Sequence, residues 1–162
     1  MLELFSRRPF DIELADEQRI VPVRTEEVGS LSAILMDEPY YRLLRAMRAE
    51  RDGLPVVRIE GLIPLKAKAH LDLKKRKETG ECVKTDDLTK HRNDVFRLAM
   101  ELTGDREDVL EAPIQEDMKN FLSLFPVDAS DWNAILASLR TTAGRSLRPE
   151  DLVAAIKARY RL

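Results

Sequence analysis

The stretch Gly61–Leu98, GLIPLKAKAHLDLKKRKETGECVKTDDLTKHRNDVFRL, constrains this chain most. Apolar residues recur at helical spacing on either side of a short polar turn. The first pattern predicts a helix over Glu60–Thr79, with Leu62, Leu65, Ala69 and Leu73 on one face at i, i+3, i+7 and i+11. Pro64 is acceptable only in its first turn, because a deeper proline removes a ladder donor. Lys74, Lys75, Arg76 and Lys77 fill the last turns, where cations favour the helix dipole, and Gly80 is a natural stop. Thr85 or Asp86 caps a second helix. Its core stripe is Leu88, Val95, Leu98 and Leu102, and Gly104 ends it.

The residues before this stretch read as strands and short helices. Met1–Ser6 is apolar and strand-like, closed by the turn Ser6-Arg7-Arg8-Pro9. A chain that opens inside a strand pattern is expected to be the later part of a longer domain. Phe10–Leu14 alternates and predicts a second strand. Arg19–Arg24 is β-branched, and Pro22 places it at a sheet edge. Ser30 caps a helix through Met36. Pro39 then opens another helix running to Asp52-Gly53, with Tyr41, Leu44, Ala46 and Met47 inward. Leu54–Ile59 predicts a short strand.

After Gly104 the pattern is helical and acidic. Met118, Phe121, Leu122 and Phe125 form the apolar side of a helix opened by Pro113. Trp132, Ile135, Leu136 and Leu139 line another, capped by Asp128 or Ser130 and closed by Gly144. Leu152, Ala155, Ile156 and Tyr160 line a last helix opened by Pro149. The fold class is therefore α+β, a few short N-terminal strands followed by a mostly helical C-terminal region. The expected division is 1–104, an α+β region, and 105–162, a helical region.

Net charge is −2, so nothing global points to nucleic acid or an anionic membrane as partner. The sum hides a gradient: residues 61–97 hold 10 Lys+Arg against 6 Asp+Glu, while the flanking segments are acidic, so the positive excess sits in the central helices. The single cysteine, Cys82, excludes a disulfide framework and fits a reducing cytosol. No apolar run approaches the roughly 20 residues of a membrane span, and the first residues lack the apolar core of a signal peptide. The expected location is cytoplasmic.

Lys66 and His70 lie one turn apart on one helix side. On the next helix Asp87, His91 and Asp94 share a side, and Lys90 stands one turn from Asp94. Two readings stand. In the first, Lys66 offers a point charge to a phosphate chain and Asp94 orients it. In the second, these are solvated helix faces laced with ion pairs. Two histidines on different helices, without HExxH or cysteine pairs, do not make a zinc site. Cys82 has no base beside it and reads as a plain exposed thiol. No glycine-rich phosphate loop is present. The KKRK run leaves nucleic acid open as an electrostatic partner, although it lacks interleaved aromatics. The carboxylates of Glu3 and Phe10–Leu14 sit on strand patterns, where an acid holds Mg²⁺ or simply faces solvent.

LIPLKAKAHLDLKKRKETGE followed by DDLTKHRNDVFRL resembles the C-terminal half of nucleotidyltransferase-like proteins of the AbiEii/AbiGii toxin type, which have a polymerase-beta-like nucleotidyltransferase fold. The resemblance covers roughly residues 1–103 and is most specific over 61–98. It implies a nucleotide-facing lysine at Lys66, within a K-x-x-A-like pattern. It also implies that Lys90 and Arg92 bind nucleotide and that Asp94 carries a catalytic role in a D-x-x-D-like pattern. Glu3 matches a third strand carboxylate. Arg97 stands where the family's second aspartate is often found. The opening residues look like the strand after the metal-binding strand.

The Gly-Ser plus Asp-x-Asp signature is missing. Gly29-Ser30 occurs, but no Asp-x-Asp pair follows, and no room for the signature precedes Met1. Two-metal transfer needs those carboxylates to hold Mg²⁺ on the triphosphate. The expectation is a chain inactive by itself, with no cofactor of its own, and with Mg²⁺ and a nucleoside triphosphate only where the site is completed. It is expected to be a fragment of a longer protein, a shortened paralogue, or half of a split enzyme; an antitoxin is then an expected partner. The competing reading is a non-catalytic interaction module, self-associating or meeting a partner chain at its N-terminal strand, with no membrane role.

Overall fold

The computed structural model describes residues 4–7, 20–23, 31–103, 107–139 and 147–162. The fold is α+β, with short strands mostly toward the N-terminus and helices thereafter. It divides into two compact units, Met1–Ala46 and Met47–Leu162.

The first unit holds β1 (Leu4–Arg7), β2 (Ile20–Val23), β3 (Leu31–Met36) and α1 (Glu38–Ala46). The sheet order is β1-β3-β2. β1 runs parallel to β3, from Leu4↔Ala33 to Arg7↔Met36, and β2 runs antiparallel to it, from Ile20↔Ile34 to Val23↔Leu31. Pro22 sits in an outer strand, where its missing donor costs no ladder bond. Leu31–Met36 is the central strand and not the helix expected behind Ser30. Its Leu, Ala and Met residues favour helix locally, but a neighbouring strand on each side satisfies its backbone. The alternating Phe10–Leu14, like Gly29-Ser30, lies outside the described residues.

Pro39 falls in the first turn of α1, as expected. Glu38 ties that turn to both flanks, 3.2 Å from Arg42 and 3.8 Å from Arg7. The buried residues are Tyr40 and Leu43. Of the expected inward residues Met47 is buried, just past the helix, but Tyr41 and Leu44 are only half-buried and Ala46 is exposed, so within α1 the inward face is offset by one residue.

The second unit opens with a hairpin where helix was expected to continue to Asp52. β4 (Arg48–Arg51) pairs antiparallel with β5 (Leu54–Val57), Arg51 opposite Leu54. Asp52 and Gly53 form the two-residue connection with φ of 52° and 76°. Two consecutive positive φ values are the type I′ geometry that matches strand twist, and Asp-Gly is a preferred pair for it.

Helix α2 (Ile59–Glu78) follows. Its entry is tight: a Cβ at Gly61 would lie 2.6 Å from Met47 Cβ and 3.0 Å from Val57 Cγ1, so glycine lets the helix lie against the hairpin. The C-terminus closes as expected, with Gly80 at φ 91° and the Glu81 amide donating to the Arg76 carbonyl at 2.9 Å. Pro64 is the sixth helical residue, beyond the first turn that the sequence allowed it. A proline there leaves the carbonyl of Glu60 without its intrahelical donor. The Tyr160 hydroxyl supplies one, donating to the Glu60 carbonyl at 2.9 Å. A partner from 100 residues away thus closes the gap that proline opens.

Helix α2 packs on both α3 (Thr85–Ala99) and α4 (Ala112–Ser123). Its buried residues are therefore Gly61, Ile63, Pro64, Ala67 and His70, while the expected stripe Leu62, Leu65, Ala69 and Leu73 is half-buried. On α3 the core residues are Val95, Phe96 and Ala99; Leu88, Leu98 and Leu102 are half-buried. The face expected on α4, Met118, Phe121, Leu122 and Phe125, is buried throughout. Helices α5 (Trp132–Leu139) and α6 (Pro149–Tyr160) add Trp132, Ile135, Leu139, Leu152, Ile156 and Tyr160. Phe96 lies at the aromatic centre, 4.6 Å from the Trp132 ring and 5.8 Å from Phe121. Helices on both sides of residue 104 share this core, and the fold divides at Ala46/Met47 instead. Among the described residues no helix is long and apolar enough to cross a membrane.

Candidate functional site

Helices α2 and α3 run antiparallel: Lys66 reaches Asp94 near one end, and His70 reaches Leu88 nearer the intervening turn. Spacing on each helix sets which side chains meet. On α2, Lys66, His70, Lys74 and Lys77 recur every three or four residues, so they form one stripe. That stripe faces two different parts of α3.

At the first, Lys66 Nζ lies 3.6 Å from Asp94 Oδ2, and Arg97 Nη1 donates to Asp94 Oδ1 at 2.8 Å. Both carboxylate oxygens are thus engaged by cations. The Lys66 and Asp94 side chains are 28% and 19% exposed, partly desolvated but open at the surface. His91 stands among these charges. Burial holds its pKa below the ordinary histidine value, Lys66 and then Lys90 push the same way, and Asp94 and Asp87 oppose them. Its Nδ1 is buried without a hydrogen-bond partner among the described residues. Lys90 is exposed, and Asp94 takes Lys66 and Arg97 rather than Lys90 as partners.

At the second, His70 is 7% exposed, and its Nδ1–H donates to the Leu88 carbonyl at 3.0 Å. A carbonyl only accepts, so the neutral ring carries its proton on Nδ1 and its lone pair on Nε2. Burial lowers the His70 pKa, with Arg92, His91 and Lys74 adding to that and the Leu88 hydrogen bond opposing it. The ring stands edge-on to Phe121 at 5.5 Å and tilted to Phe125 at 5.6 Å. It lines a cleft of ≈ 520 Å³ between α2, the start of α3 and the turn joining α4 to α5. Arg92 lines it too, bound to Asp131 at 3.1 Å and to Asn93 at 3.0 Å. The far wall is held by Trp132, whose Nε1–H donates to the Pro126 carbonyl at 2.8 Å.

The sequence-predicted residues therefore separate. Lys66 and Asp94 meet across the helix pair, with Lys90 exposed one turn before Asp94 on α3. Arg92 points to the cleft instead. Glu3 lies outside the described residues. The KKRK run is laced with acids: Lys74 pairs with Glu78, and Arg76 Nε lies 2.8 Å from Glu81 Oε2. Cys82 is an exposed thiol. The cleft was not foreseen as a site, although the spacing 66-70-74-77 announces a cationic stripe with a histidine inside it.

The described residues do not fit a Mg²⁺ site. Both Asp94 oxygens already face cations, and no group of three His, Cys, Asp or Glu side chains that could hold a metal ion occurs among the described residues. No family model, no curated protein and no solved structure matches this chain.

Proposed function

We propose that this chain supplies the nucleotide-phosphate-facing half of a nucleotidyltransferase-like site, without catalysing transfer by itself. The observation that carries this reading is the meeting of Lys66, Asp94 and Arg97 at the surface of the α2–α3 pair. One carboxylate holds two cations side by side, and exposed Lys90 and half-buried His91 flank it. Polyphosphate binding needs positive charge fixed in place before the ligand arrives, and a lysine serves as a point charge. Lys66 contacts the phosphate chain in this reading. Asp94 acts as the positioning residue, holding Lys66 and Arg97 in register across two helices. Lys90 adds charge beside them, whereas Arg92 lines the separate cleft around His70. Metal-binding carboxylates come from another chain, and an antitoxin is a candidate partner.

Labelled-ATP binding to the intact chain and to Lys66→Ala tests the assignment. Loss of one phosphate contact weakens binding about tenfold, roughly 1.4 kcal/mol. Equal binding by the two proteins sinks it. Nucleotide transfer by the chain alone would remove the non-catalytic half of the reading.

A second reading is favoured by one separate observation. Strand β1 pairs with β3 and occupies an outer position in the sheet order β1-β3-β2. An outer strand offers backbone donors and acceptors to a further strand, so a non-catalytic interaction module would use it. Light scattering behind size exclusion separates the two readings: a strict monomer that acquires no partner counts against the second.

A further inference from the structure

The cleft around His70 is separate from the Lys66–Asp94 cluster, and its chemistry is different. Its floor and walls include Leu88, Leu124 and Phe125, an apolar surface suited to a flat ring. Its rim carries three cations, Lys74, Lys77 and Arg92, against two acids, Glu78 and Asp131, leaving a net positive charge. Lys77 makes no ion pair among the described residues. Arg92 spends Nε on Asn93 and Nη1 on Asp131, which leaves its other donors for a ligand. Thr85 and Thr89 bring hydroxyls from the first turns of α3, a helix that has no side-chain N-cap. Positive rim, hydroxyls and the opening turn of a helix all favour an anion.

The second, independent observation is His70 itself. It is a polar side chain 7% exposed, packed between aromatic rings, and it lines the cleft. The Leu88 carbonyl fixes its tautomer, so the nitrogen left to interact is the Nε2 acceptor. An anion that carries no O–H or N–H offers nothing to an acceptor. A ligand that satisfies every wall must combine an anionic group, an apolar ring and a hydrogen-bond donor. The volume of ≈ 520 Å³ lies within the ~300–1,000 Å³ of small-molecule sites.

We infer that this cleft binds a ring-bearing phosphate monoester of the nucleoside monophosphate class. Its phosphate lies between Arg92, Lys74 and the threonine hydroxyls, its ring on Phe125 and Leu88, and a ligand N–H or O–H donates to His70 Nε2.

The test is a titration of the full chain with AMP, followed by backbone amide and histidine-ring resonances. Inorganic phosphate and adenosine serve as separate arms. The expected result is saturable shifts at Leu88, Thr89 and the His70 ring, with AMP binding at least tenfold more tightly than either part. Arg92→Gln weakens AMP binding about tenfold. Lys74→Gln, at a more exposed position, gives the same direction with less risk to folding. Arg148→Gln, an equal charge change far along the chain on a fully exposed side chain, leaves it unchanged. Three results overturn the inference: no saturable shift, AMP no tighter than inorganic phosphate, or shifts confined to Lys66, Asp94 and Arg97.

Discussion

Tyr160→Phe removes one oxygen and leaves the ring. In this fold that oxygen has a single stated task, donating to the Glu60 carbonyl at 2.9 Å. The carbonyl needs it because residue 64, which would donate within α2, is a proline. Tyr160 is fully buried, and burial pushes its phenol pKa far up, so it stays a neutral donor at every working pH. Deleting the hydroxyl leaves a part-buried acceptor without its protein partner, a loss of roughly 1 kcal/mol. The cost must depend on Pro64. In a Pro64→Ala background residue 64 regains an N–H that reaches the same carbonyl, and Tyr160→Phe should then cost about 1 kcal/mol less. The coupling is read from a double-mutant cycle, which cancels whatever Pro64→Ala does alone. The assay is urea unfolding followed by the single tryptophan, Trp132, which is 3% exposed in this core. With a slope of about 1–3 kcal/mol per molar, the single change lowers the midpoint by about 0.3–1 M. Equal cost of Tyr160→Phe in both backgrounds would refute the reasoning, since the hydroxyl would then serve something other than the proline gap. The point bears on function because Pro64 precedes Lys66 by two residues, and the same bond anchors the helix that carries both candidate sites.

Other outcomes follow from the same geometry. Gly61→Ala places a methyl 2.6 Å from Met47 Cβ; overpacking of about 1–3 kcal/mol outweighs a helix-propensity gain of about 1, and a higher urea midpoint would contradict this. Gly53→Val forces a β-branched residue to φ 76° and costs roughly 1–2 kcal/mol, read as faster amide exchange in the β4–β5 hairpin; unchanged exchange would count against the turn assignment. His70 and His91 both have folded pKa values below the ordinary one, so the unfolded chain takes up protons first as pH falls. Their contribution is then unpenalised above about pH 6.5 and is lost as pH falls from there toward the folded pKa values, levelling off below them; a urea midpoint that is higher at pH 5 than at pH 7.5 would contradict the burial of these rings.

Some helix ends were legible because local chemistry sets them, although α1 stops at Ala46 and the residue before α3 is Lys84 rather than a capping Thr85 or Asp86. Gly80 adopts positive φ to close α2, Pro39 and Pro149 open α1 and α6, and acids fill the first turn of α3. The face of α4 was legible for the same reason, one stripe packed on one core. Residues 31–36 were not, because strand pairing on both sides outweighs the helix preference of their side chains. The Asp52-Gly53 hairpin did carry a signal, a favoured turn pair before a β-branched run, which the preceding helix pattern masked. The inward side of α2 could not be read from one period, since the helix packs on two neighbours and buries Ile63, Ala67 and His70 between them. Of the candidate site, Lys66 and Asp94 were each visible as residues. Their 3.6 Å approach depends on the register of α2 against α3, which spacing within either helix does not encode. Arg97 as the second partner of Asp94 and Arg92 as part of a separate cleft follow from that register too.

In the proposed site Lys66 and Arg97, held by Asp94, face the phosphates of a nucleotide. That placement is tested most directly by titrating ATP into the isotope-labelled chain and following the amides of Lys90 through Arg97. The expected result is saturable shifts centred on Asp94 and Arg97, with binding about tenfold weaker in Lys66→Ala, the equivalent of roughly 1.4 kcal/mol. Absence of saturable shifts there, or the same shifts at the same affinity in Lys66→Ala, would contradict it.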